Sequence, residues 1–381
     1  MTTAPYACNV RPIRARGTAR VRAFVDADIP QVAQVHRAAF RLGDDPRHAE
    51  YSEYFTRVFL DGAAADRGIS SLVYQEPDGR IAGFVGIVPR RVTIGGRRYQ
   101  AAVSSQFIVD PASHVGLVAL RLAKAYLEGP QDLSIADEAN DVSRRIWAGL
   151  GGTTALLLSM YWTRALRPAQ LGLSFLGRRR ALAPLAFAGA PAAVLADGLA
   201  ARLPGSQLRQ TPPSTGAEPL FAQTVVAHAA EVCGDAALRV EYDEQTFQRI
   251  LDRTARRAAD GRLLNAVVKN GASILGWYVA HVDAAGVAEV AQVAASGATI
   301  HDVLDHLFYH AWREGAVSVT GRLDPRFMQP LSDKYCFFHR RGPWVLIKAN
   351  TPELLAALES GATSLSRFDG EWSLRFHPQR A

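Results

Sequence analysis

Cysteine is scarce in this chain, and the three present, Cys8, Cys233 and Cys336, stand far apart and are odd in number. That excludes a disulfide framework or a thiolate-based metal centre and suits a reducing compartment, so the sequence reads as cytoplasmic. A secretory signal is missing too. The opening "MTTAPYACNVRPIRARGTAR" has basic residues with no apolar core behind them and reads as a flexible leader over 1–18. Charge of one sign is not concentrated anywhere: the net +7 favours anionic partners in general, but the basic residues are dispersed, which excludes a nucleic-acid signature. A clean membrane span is also lacking, because Pro184, Pro191 and several glycines interrupt the apolar stretch 181–201, whose one charged residue is Asp197.

What is present is apolar material in quantity. Hydrophobic residues make up 48% and charged residues 21% of 381 positions, enough for two cores. "ARVRAFVDADIPQVAQVHRAAF" reads as a strand and a helix with Pro30 in its first turn, and "PRHAEYSEYFTRVFLDG" as a second helix closed by Gly62. The period then changes to two, giving three antiparallel strands with turns at Pro77-Asp78-Gly79 and Gly95-Gly96. A helix to about Gly129, the strand "DLSIADEAN", the helix "VSRRIWAGLGG" and a final strand in "TALLLSMYWTRAL" complete residues 19–167.

Residues 168–219 change character. They form an Ala-, Leu- and Pro-rich linker that contains Arg178-Arg179-Arg180 just before its apolar stretch. It reads either as a segment packed between domains or as a membrane-surface segment over 174–201 with arginines toward anionic head groups. From 220 to 381 the earlier rhythm returns as helix, strand meander, amphipathic helix, strand, short helix and strand. His301, His306 and His310 invite a metal reading, but "HLFYH" lacks the glutamate of a zinc helix and no metal is expected. "RFDGEW", 367–372, is either a wall of a polar ligand pocket or a turn at Asp369-Gly370.

The chemistry is concentrated at "FIVDPASHVGLVALRLAKAYL". A strand ends at Asp110-Pro111 and a helix starts after Ser113-His114-Val115-Gly116, so free backbone N–H groups and the positive end of the helix dipole face the loop. This arrangement can cradle a phosphate or serve as a connection.

The element order over 19–167 resembles the GNAT superfamily of acyl-CoA N-acyltransferases, which implies an α/β fold with a mixed sheet; the second half reads as a degenerate copy, making two tandem lobes. The resemblance places Ser113, Gly116 and Val118 at the positions of the family's pyrophosphate loop, with Leu117 and His114 beside them and Val118 narrowing the approach. In "NDVSRRIWAGLGG" it places Asn140, Ser143, Ile146, Trp147, Leu150, Gly151 and Gly152 at the spacing of the second family signature. Many members carry a tyrosine where Trp147 stands, and an indole N–H cannot act as an acid at neutral pH.

The resemblance implies acetyl-CoA or a longer acyl-CoA as cosubstrate, with Phe107, Ile108 and Val109 along its pantetheine arm and Ser104, Ser105 and Gln106 lining the acceptor pocket. Glu138 and Asp137 are the general-base candidates. Tyr161 supplies the thiolate's proton, or the thiolate leaves unaided, or the domain is no longer catalytic. The expected acceptor is a primary amine of a small molecule or of a lipid such as a sphingoid base, the latter at the inner face of the membrane. A non-catalytic CoA-binding or scaffold protein, and a homodimer, are consistent with the same sequence.

Overall fold

The computed structural model describes residues 18–41, 48–61, 68–177, 179–257 and 261–376. The leader up to residue 17, Cys8, the stop at Gly62 and Arg178 lie outside these.

The first half contributes β1 (Arg20–Ala23), α1 (Ile29–Phe40), α2 (His48–Phe55), β2 (Leu72–Gln75), β3 (Ile81–Ile94) and β4 (Arg97–Val109). It continues with α3 (Val115–Leu127), β5 (Leu133–Ala139), α4 (Asp141–Gly149), β6 (Thr153–Thr154) and β7 (Tyr161–Ala165). The expected turns at Gly79 and Gly95-Gly96 fall where φ is positive, which glycine adopts without strain. A helical pair follows, α5 (Pro168–Gly177) and α6 (Ala183–Arg202). The second half holds β8 (Gly216–Glu218), α7 (Ala222–Val232), β9 (Leu238–Glu241), α8 (Glu244–Arg257), β10 (Arg262–Asn270), β11 (Ser273–Val282) and β12 (Val287–Ala295). After these come α9 (Ile300–Arg313), β13 (Ser318–Arg322), α10 (Met328–Asp333), β14 (Phe337–His339), β15 (Trp344–Ala349), α11 (Pro352–Ser360) and β16 (Thr363–Ser364).

Two mixed sheets result. One runs β1-β2-β3-β4-β5-β15-β6, with β9 on the far end of β3 and β16 on β9; the other runs β14-β7-β13-β12-β11-β10-β8. The alternation along β3 and β4 buries both faces of the first sheet, under α1 and α2 on one side and under α3 and α4 on the other.

The halves exchange strands, and β9 and β16 of the second half join the first sheet, as does β15. β7, read as the last strand of the first lobe, pairs with β13 and β14, while β15, read as part of the second, pairs antiparallel with β5. A cut of the chain at 167/168 and 219/220 therefore assigns both strands to the sheet that they do not join. Their runs are apolar and β-prone, and such a pattern specifies a strand without specifying which free edge it takes.

The 168–219 segment holds a helical hairpin where a linker was expected. Asp197 fixes it by accepting the α5 amides of Ala169 at 2.8 Å and Gln170 at 3.0 Å. Phe187, Leu185 and Leu195 of α6 are exposed.

Candidate active site

β4 and β5 run side by side only over Ala101–Val103 and Leu133–Ile135, and beyond that they part. The parting is built into β4. Its register with β3 slips opposite Phe84 and Gly86, and Gln106 takes a φ of 53°, a left-handed conformation that a non-glycine side chain adopts only under constraint. A wedge-shaped cavity of about 600 Å³ opens between the strands.

Of the residues expected to bind cofactor, Phe107, Asn140, Ser143 and Trp147 line the wedge, whereas residues 113–118 lie outside its lining, at and just before the start of α3. The α3 amides of Gly116 and Leu117 lie in the first turn and have no acceptor within the helix, whose first such bond runs from Val118 N–H to the His114 carbonyl at 3.0 Å. A Cβ on Gly116 would meet open space, so the approach to the loop is clear. Val118 does not narrow that approach. Its side chain is fully buried against Gly83 of β3, where a Cβ would lie 2.7 Å from it. Ser113 is spent on the turn, with its hydroxyl donating to the Asp110 carbonyl at 2.7 Å. Phe107 lines the wedge, while Ile108 is buried on the opposite face of β4 and Val109 packs beside the α3 core.

Asn140, Ser143 and Trp147 also line the wedge. Asn140 caps α4, accepting Ser143 N–H at 2.9 Å, which explains why that spacing is needed. Trp147 is buried against Tyr126 and closes the wall. The glycine at 152 goes with the large indole: a Cβ there would stand 2.9 Å from the Trp147 ring.

The wedge is completed by the last described segment of the chain. Residues 366–376 cross between the sheets as a strap and reach the wedge with Glu371, Arg375 and Phe376. Glu371 accepts the Gln106 backbone N–H at 3.1 Å and donates its own N–H to Asp137 at 2.7 Å. Burial above all, and then repulsion from Asp137, push the Glu371 carboxyl up to about 8. Phe376 sits among His36, Tyr51 and Tyr54. His36 hydrogen-bonds the Gln106 side-chain oxygen at 3.0 Å; burial holds its pKa down at about 4, so it stays neutral and orients that amide.

The expected catalytic residues separate. Glu138 lines the wedge, but its oxygens are taken by Arg367 at 2.9 Å and by Arg375, with Glu138 2% exposed. It ties down the strap by accepting three arginine N–H groups, which makes it a poor base for an incoming amine. Asp137, next along β5, points to the other face and binds Arg322 at 2.8 Å. It also fills the space over Gly370, where a Cβ would fall on its carboxylate. Tyr161 does not line the wedge, because β7 carries it into the other sheet; burial raises its pKa to about 12 and its ring lies 5.7 Å from the Arg367 guanidinium. Ser104, Ser105 and Gln106 come together on the wall as expected.

Glu138→Ala is expected to cost about 3 kcal/mol of stability in denaturant unfolding, since it leaves Arg367 buried beside the gap. An unchanged midpoint would mean that the strap is held by other contacts.

Sequence reasoning missed Glu371, Arg375, Phe376 and His36. The signal for the first was the mixture of Arg, Asp, Glu and Trp in "RFDGEW"; for His36 it was an imidazole on the buried stripe of α1. His306 and His310 both face the Tyr278 hydroxyl, at 3.0 and 2.7 Å, and no group of three His, Cys, Asp or Glu suited to a metal occurs among the described residues.

No protein-family model and no curated protein matches the chain. Solved structures do. A conserved protein of Enterococcus faecalis V583, described as a probable N-acyltransferase, is similar over 87% of this chain and 72% of its own, with 13% identity and a TM-score of 0.55. A GCN5-related N-acetyltransferase from Kribbella flavida covers 90% and 74% at 15% identity and a TM-score of 0.55. Another from Anabaena variabilis covers 89% and 75% at 12% identity and a TM-score of 0.56. With its splayed parallel pair and the glycine-bearing turn into α3, this chain has the fold of the GNAT superfamily, laid out as two tandem lobes that exchange strands.

Proposed function

We propose that the protein is an acyl-CoA-dependent N-acyltransferase that moves an acyl group to a primary amine, with Glu371 as the general base. The observation that carries this reading is a raised carboxyl on the wedge wall, beside the left-handed Gln106. The cosubstrate is acetyl-CoA or a longer acyl-CoA, its pyrophosphate on the Gly116 and Leu117 amides and its pantetheine arm along Phe107. The donor is no part of the structure, and the open space over Gly116 and the parted strands suit it.

Glu371 takes a proton from the amine, whose nitrogen forms a bond to the thioester carbonyl carbon while the carbon–sulfur bond breaks. The sulfur leaves as thiolate. Among the described residues the wedge offers it no free phenol: Trp147 has none, and the Tyr126 hydroxyl already donates to the Ala102 carbonyl at 2.7 Å and is pushed well up by burial. The reading is tested by calorimetric titration with acetyl-CoA and with a long-chain acyl-CoA, where the folded protein binds one of them.

A second reading, in which the acceptor is a lipid amine at the inner face of the membrane, draws on α6. This helix is apolar around its circumference, has 20 residues and is mostly exposed. The reading predicts that Phe187→Ser and Leu195→Ser each weaken sedimentation with phosphatidylserine vesicles by roughly tenfold. Equal sedimentation of the variants rejects it and leaves a soluble amine.

A further inference from the structure

We propose that an arginine-lined groove beside the strap binds an anionic group on the far end of the acceptor, so that the acceptor is an amine that also carries a carboxylate or a phosphate. This rests on the acyltransferase reading for the word acceptor and on independent observations for the groove. α8 sets Arg249 and Arg253 one turn apart, β3 adds Arg90 and Arg91, and together they line a small pocket. Arg253 also lines an adjoining cavity of about 270 Å³ with Tyr54, Thr254 and Phe376. Phe376 and Arg375 line that cavity and the wedge alike, so the end of the strap is a shared wall.

Glu241 and Asp243 share the pocket on the side of Arg91, and neither pairs with Arg249 or Arg253. Glu241 pairs with Arg98 at 3.1 Å, Asp243 accepts the Thr246 amide and hydroxyl at 2.7 and 2.9 Å, and Glu53 lies 2.5 Å from Arg57 and 3.8 Å from Arg256. Asp61 lines the same pocket and is exposed. Among the described residues no carboxylate reaches ion-pair distance of Arg249 or Arg253. Arg253 spends its Nε on the Arg249 carbonyl, at 3.2 Å. Burial, and then Arg90 and Arg249, bring its pKa down to about 10, so this cation is crowded and poorly solvated. Folding gains nothing from such an arrangement, whereas a bound anion would relieve it.

The direction toward the reaction centre is set by Tyr54. Tyr54 lines the cavity with Arg253, and its hydroxyl donates to the Leu374 carbonyl at 2.6 Å, three residues along the strap from Glu371. The donor's own phosphates belong elsewhere. Gly83, beneath α3, lies seven residues, ~23 Å, back along β3 from Arg90, and α3 covers the opposite face of the sheet from α2.

The test is thermal unfolding in sodium sulfate against sodium chloride at equal ionic strength, for wild type, Arg249→Gln, Arg253→Gln and Arg253→Lys. Sulfate is expected to raise the wild-type midpoint and to lose most of that effect in both glutamine variants, with partial retention in the lysine variant. Without sulfate, Arg253→Gln melts no lower than wild type, because the cation it removes is uncompensated. A wild-type sulfate response in both glutamine variants overturns the groove. If Arg253→Gln does not fold, Arg249→Gln decides alone.

A second arm compares three primary amines ending in a carboxylate, in a phosphate or without charge. Arg253→Gln raises KM by about tenfold for whichever anionic amine is the better substrate and by far less for the neutral one; equal increases for all three overturn the assignment to the acceptor. The sulfate arm needs no acyl-CoA. Loss of the sulfate response in a protein that transfers no acyl group would reject acyl transfer and leave the groove standing.

Discussion

Glu371→Gln is expected to slow acyl transfer by about 10²- to 10⁴-fold while acyl-CoA binding stays close to wild type. The amide keeps the shape of the side chain and removes, among the described residues, the carboxyl on the wedge wall that no guanidinium hydrogen-bonds. A base held at about 8 is half ionised at about pH 8 and only about one-tenth ionised at pH 7, so the wild-type rate rises as pH passes through about 8 and the rising limb disappears in the variant. Stability runs the other way. The folded state keeps this proton up to about pH 8 where the unfolded chain loses it at ~4.3, so folding stability falls as pH rises across that interval and stays lower above it. Glu371→Gln escapes the penalty and melts a few degrees above wild type at pH 9. Loss of activity with gain of stability separates a functional carboxyl from a structural one. A variant that loses both would make Glu371 a strap residue only.

Gly116→Glu has the second large effect. Its side chain has room, so the fold is unaffected, but it sets a negative charge on the α3 entrance and competes for the amides meant for phosphate. Affinity for acetyl-CoA and for a long-chain acyl-CoA in calorimetry falls by roughly 100-fold or more. Unaltered affinity would reduce "SHVGLV" to a connection between β4 and α3.

Local signals carried well. The turn glycines, the capped spacing from Asn140 to Ser143 and the loop before α3 are properties of neighbouring residues, and the element order of the first half followed from them. What escaped the sequence is non-local. The Gly83 and Val118 pair exchanges size between a strand and a helix, so Val118 read alone looked like an obstruction. Trp147 and Gly152 do the same across a helix turn. The exchange of β7 and β15 rests on which sheet edge lies open, and no periodicity records it. Glu371 reaches Gln106 across 265 positions, and its protonation is set by burial under a strap whose course only the folded chain determines. Glu138, read as a general-base candidate, lines the wedge, but the arginines that hold it come from the same distant strap.

The most direct measurement is release of free thiol from acetyl-CoA, followed with a panel of primary amines, for wild type and Glu371→Gln. Amine-dependent release by the wild type that falls at least about 100-fold in the variant is the predicted result. A protein that binds acetyl-CoA at the Gly116 loop yet releases no thiol with any amine would contradict acyl transfer and leave a non-catalytic CoA-binding protein with the same fold.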